Sequence, residues 1–113
     1  MLRVLAVLGS FCFLTATGVA AAETWSNVSL IDTMCSISAK AKPDAHTRAC
    51  ALQCSKSGFG IIAADGSYLK FDDNGNTKVI AALKATKKGD HLRVSVTGDR
   101  QGDTIKVSTI RID

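Results

Sequence analysis

The chain is short of the features that mark the larger function classes. Its Lys and Arg number 14 against 10 Asp and Glu, a formal net charge of only +4. So small an excess gives neither the basic stripe of a nucleic-acid-binding domain nor the lysine cluster of a membrane anchor, and no nucleic-acid partner is expected. Aromatic residues make up 5% of the sequence. Phe11 and Phe13 lie near the start, which leaves Trp25, Phe59, Tyr68 and Phe71 as the rings of the remainder. That is too few for a row of stacking platforms. No Ser/His/Asp set and no phosphate-cradling glycine loop occurs, so the chain reads as a non-enzyme. There is no internal repeat and no low-complexity segment. At 113 residues it can hold one small domain and not a multidomain enzyme.

What is present begins with an export leader. Arg3 is the only charge among residues 1–22, and Val4 to Val19 is apolar apart from Ser10, Thr15, Thr17 and two glycines. Ala20-Ala21-Ala22 satisfies the small-x-small rule of signal peptidase, with Glu23 as the new N-terminus. The 19 uncharged residues from Val4 to Ala22 are borderline long enough to span a bilayer. The polar interruptions and the alanine run favour cleavage, which leaves no stable membrane anchor. Cys12 follows Phe11, not the small residue that lipidation needs, and departs with the leader. Residues 23–113 are then a single periplasmic or secreted domain in an oxidising compartment.

Trp25 to Met34 reads as a first strand, with Val28, Leu30 and Met34 on one parity and Trp25 and Ile31 on the other. Pro43-Asp44 opens a helix with Asp44 as N-cap, running to Ser57 and stopped by Gly58. Phe59 to Ala64 and Ser67 to Phe71 form a hairpin about Asp65-Gly66. The Asp72-Asp73-Asn74-Gly75-Asn76 stretch fails the spacing of a calcium loop, since Lys70 and Ala81 fall on ligand positions. It reads instead as a polar loop capping a helix from Thr77 to Ala85, with Val79, Ile80 and Leu83 on its buried stripe. Lys84, Lys87 and Lys88 form a solvated run. His91 to Thr97 alternates, with Leu92, Val94 and Val96 inward. Gly98 to Gly102 turns the chain, and Thr104 to Ile112 returns. In that last strand Ile105 and Val107 share one parity and Ile110 and Ile112 the other, which predicts a β-bulge near Ser108-Thr109.

The expected fold is therefore mainly β, a small five-stranded OB-like barrel with two short helices, one of them inserted after the first strand. Asp32-Thr33-Met34-Cys35, then His46-x3-Cys50-x3-Cys54, then the closing hairpin from Gly89 to Ile110 resemble a family of small exported bacterial proteins with an OB-like fold. The resemblance covers most of Trp25 to Ile112. It implies a fold and an address, and no activity.

Cys35, His46, Cys50 and Cys54 carry the chemical question. Residues 46, 50 and 54 would lie on successive turns of one helical stripe. Pairing of the first two strands would bring Cys35 near the end of that helix, closest to Cys54. The plain expectation is a disulfide, Cys35–Cys54 in preference to Cys35–Cys50, contributing about 2–4 kcal/mol to a small core. One thiol is then left over. The alternative is a metal-handling protein holding Zn or Cu through Cys35, His46, Cys50 and Cys54, a permissible tetrahedral set. A third reading makes Cys50 reactive beside His46, but no third group is evident to orient the imidazole. On the barrel, Phe59 and Phe71 serve as core, which leaves Trp25 and Tyr68 as candidates for a ligand face toward an envelope glycan or peptide. The function expected is a non-enzymatic binding or envelope-associated module.

Overall fold

The computed structural model describes residues 22–113, so the leader, its cleavage site and Cys12 lie outside the described residues. Five strands, β1 (Glu23–Asp32), β2 (Phe59–Ile62), β3 (Tyr68–Phe71), β4 (Arg93–Gln101) and β5 (Thr104–Ile112), close into a barrel in the order β1-β2-β3-β5-β4. All pairings are antiparallel except β3 with β5. This is the OB-like arrangement the element order predicts. Among the described residues no helix is long and apolar enough to cross a membrane.

Alternating apolar residues build the barrel. Leu92, Val94 and Val96 point inward from and just before β4, and Ile105 and Val107 from β5, all nearly inaccessible to solvent. Thr97 pairs with Thr109 while Gly98 pairs with Val107, so Ser108 is the extra residue of a bulge. The phase change in β5 has this cause: beyond the bulge Ile110 and Ile112 turn back against the core. At the other hairpin, Gly66 takes φ +85° and donates its N–H to Ala63 O at 2.9 Å.

Helix α3 (Asp73–Ala85) is one turn longer at its start than the sequence suggests. Asp72 caps it, its Oδ1 accepting from Gly75 N–H at 2.9 Å and from Val107 N–H at 3.2 Å. Gly75 allows the close approach, because a Cβ there would sit 2.5 Å from a Val107 methyl. Val79 and Leu83 then close the barrel floor, both fully buried.

The long β1–β2 connection departs furthest from expectation. Instead of one helix from Asp44 to Ser57, it contains α1 (Ser36–Ala39), α2 (Arg48–Gln53) and three 3-10 turns at 33–35, 43–45 and 55–57. Three short helices therefore replace the expected two. Thr47, not Asp44, is the N-cap of α2, accepting from Cys50 N–H at 3.1 Å. Asp44 is drawn away by Arg93, whose guanidinium forms a two-pronged bond to it at 3.0 and 3.2 Å. That guanidinium also holds the Asp44 carboxyl below its usual range. Arg48 reaches back to the Leu83 and Lys84 carbonyls at the end of α3. From Thr33 to Gly58 only Ala51 is buried, so this corner is held by hydrogen bonds far more than by apolar contact.

Candidate functional site

β1 ends at Asp32, opposite Phe59 in the β1–β2 ladder. Its side chain is fully buried yet accepts several hydrogen bonds, as a buried carboxylate must. Oδ2 takes the Cys35 N–H at 3.0 Å and so caps the turn at 33–35. Oδ1 lies 2.6 Å from His46 Nε2. The His46 side chain is only 7% exposed.

Because a carboxylate accepts, the ring nitrogen facing it carries the proton, which fixes the neutral imidazole in its Nε2–H tautomer. Nδ1 then holds the lone pair. It makes no hydrogen bond to a described residue, and among the described residues no buried side-chain N or O atom is left unpaired, so Nδ1 is reached by solvent. His46 lies before the N-cap of α2 with an extended backbone (φ −71°, ψ 124°), which is why its ring turns toward Asp32.

Asp32, Cys35 and His46 form one group whose ligand atoms all lie within 4.8 Å of one another. Cys54 packs its thiol against that of Cys35. A pocket of about 290 Å3 opens outside them, lined by Cys35, Lys42, His46 and Cys50 among others. Cys50 is exposed at its rim.

The expected disulfide is not formed. Cys35, Cys50 and Cys54 are all free thiols, with Cys35 and Cys54 side by side. The predicted proximity of Cys35 to Cys54 therefore stands, and the bond does not. Burial pushes the Cys35 thiol up to about 11, and the Asp32 acceptor and its charge add to the shift. A thiol held protonated in this way is a poor nucleophile at neutral pH.

Asp32 is the residue that sequence reasoning missed. It is the third group that orients the imidazole, and it stands three residues before Cys35 in the motif already singled out. Its sequence signal was indistinguishable from that of an aspartate capping a turn, and it does that as well.

The ligand-face candidates are otherwise engaged. The Tyr68 hydroxyl donates to Ile31 O at 2.9 Å and meets Thr33 Oγ1 at 3.2 Å, while its ring lies over Gly60, where a Cβ would collide with it. Burial pushes its hydroxyl up to about 12. Trp25 is half-buried against the core. A second groove, of about 280 Å3, runs over β1, β4 and β5 and is lined by Ser26, Ser95, Thr97, Thr109 and Arg111 among others. It contains no aromatic ring. His91, with φ +50°, is exposed beside Asp90, and its backbone N–H bonds to Asp44 O at 3.0 Å.

Comparisons with protein-family models, with curated proteins and with solved structures return no match to this chain, so the reading of the corner rests on its own geometry.

Proposed function

We propose that the protein is an exported, non-enzymatic binding module in which the OB-like barrel is the scaffold and the β1–β2 corner is the ligand site. One observation carries this reading: a buried carboxylate, an imidazole of fixed tautomer and a thiol converge within 4.8 Å beneath an open pocket. The Cys35 thiol is held protonated at neutral pH, which weighs against nucleophilic attack. Trp25 and Tyr68 have structural duties, which weighs against a stacking site for glycan on the barrel. Export rests on the leader pattern of residues 1–22.

Two measurements test this. N-terminal sequencing of protein recovered from a periplasmic extract should begin at Glu23. Amide chemical-shift mapping with muropeptides, short peptides, Zn2+ and Cu+ should concentrate the perturbed residues between 33 and 58. Perturbation confined to the face of Ser26, Ser95, Thr109 and Arg111 would move the site to the barrel and overturn the corner reading.

A further inference from the structure

Resting on that reading, we infer that the ligand of the corner is a thiophilic d10 metal ion, Zn2+ or Cu+. It would be held by His46 Nδ1 and by the thiolates of Cys35, Cys54 and Cys50, with Asp32 as the residue that positions the histidine.

The ligating nitrogen follows from the hydrogen bond. Histidines that bind metals commonly donate their other ring N–H to a carboxylate, which fixes the ring and makes the free nitrogen a better donor. His46 has this arrangement before any ion arrives: Nε2 is committed to Asp32 at 2.6 Å, and Nδ1 is left open. Asp32 itself is an unsuitable ligand. Its two oxygens are fully buried and occupied by His46 and by the Cys35 N–H. It supports the site from behind.

The thiols complete the set. Cys35 belongs to the compact group with His46; Cys54 lies beside Cys35 and Cys50 lines the pocket, both outside that group, so an ion would have to draw their side chains in. Three sulfurs and one imidazole are the donors that zinc and monovalent copper prefer, whereas magnesium and calcium require oxygen. No acidic side chain lines the pocket, which is bounded by Ser38, Ala39, Lys42 and Ala45 beside the ligating residues. Hard cations have nothing to bind there.

The backbone around the donors is already fixed. Thr33 N–H bonds to Gly58 O at 2.9 Å and Met34 N–H to Ser57 Oγ at 3.1 Å, which ties the turn carrying Cys35 to the segment following Cys54. On binding, the thiol protons would pass to solvent, as thiolate ligation requires.

The test uses residues 23–113 purified with all thiols reduced and kept anaerobic. Competition against a chromophoric zinc chelator, and separately against a copper(I) chelator, should show one ion per chain. Co2+ as a reporter should give a thiolate-to-cobalt charge-transfer band, reduced in each of Cys35→Ser, Cys50→Ser and Cys54→Ser. Asp32→Asn should lower affinity about 10–100-fold while amide spectra of the metal-free variant retain the barrel pattern. His46→Ala should lower it at least as far. A band unchanged in Cys50→Ser or Cys54→Ser refutes the three-thiolate set. Affinity indifferent to His46→Ala and Asp32→Asn refutes the histidine arrangement. If neither ion binds but a muropeptide or peptide shifts residues 33–58, the metal inference fails and the binding corner survives. If every probe settles on the barrel face, both fail together.

Discussion

The barrel and the corner are built from one chain by different forces. In the barrel, Leu30, Phe59, Ile61, Leu69, Val94, Val96 and Ile105 are all fully buried, and long β ladders satisfy the backbone. In the corner from 33 to 58, Ala51 is the one buried residue, and Met34 and Ile37 stand 72% and 92% exposed. Its order comes from caps and cross-ties: Thr47 on α2, Asp32 on Cys35, Ser57 on Met34. Apolar burial is additive and tolerant, whereas a hydrogen-bonded corner depends on a few polar atoms having their partners. The difference teaches where function can be placed. A dry core leaves no polar atom free, and a region held by hydrogen bonds can hold an imidazole in one tautomer with a lone pair to spare.

The contrast is open to breaking. Phe59→Ala removes a fully buried ring from the barrel and should cost about 3–5 kcal/mol in urea unfolding, with all regions lost together. Asp32→Ala leaves His46 Nε2–H and the Cys35 N–H without their acceptor and should cost about 3 kcal/mol. Here hydrogen exchange should accelerate across 33–58 first while β4 and β5 stay protected. Exchange that rises equally in the barrel would show that the two regions are one cooperative unit.

Tyr68 sits on the boundary, its hydroxyl joining β3 to the end of β1. It is the chain's only tyrosine, so tyrosinate absorbance reports it alone. The folded protein should titrate at about 12, against an ordinary value of 10.0. Its contribution to stability is complete below pH 10. It is lost as pH rises from 10 toward 12, because the unfolded chain ionises first. A folded-state midpoint near 10 would mean that the hydroxyl is not held as described. The smallest effect is expected at Ile37, whose replacement by alanine should change stability by less than about 0.5 kcal/mol, measured by the same urea titration.

Sequence legibility divides along the same line. The alternation of Leu92, Val94 and Val96, the Asp65-Gly66 turn and the parity change between Val107 and Ile110 were all readable, because strand periodicity is local and strong. The bulge at Ser108 follows from that parity change alone. The start of α3 lies one turn before the expected one, since Asp73 to Asn76 has the composition of a loop, and Asp72 as N-cap together with the close approach of Gly75 to Val107 and Phe71 carries the helix through it. Strand periodicity carries Met34 on with Val28 and Leu30, but the strand ends two residues earlier, where Asp32 caps a turn. The helix from Asp44 broke for a tertiary reason as well: Arg93, far along the chain, takes the carboxylate that would have capped it.

By itself, then, the sequence determined the strands and their turns, from which the five-stranded barrel and the nearness of Cys35 to Cys54 follow, because hydrophobic period and turn chemistry act over a few residues. The tertiary structure decided that Asp32 faces His46, that Nδ1 is the open nitrogen, and that the cysteines stand as three free thiols. Those facts depend on side chains brought together by the end of one strand and a turn 14 residues further on, and neither element's local pattern encodes that meeting.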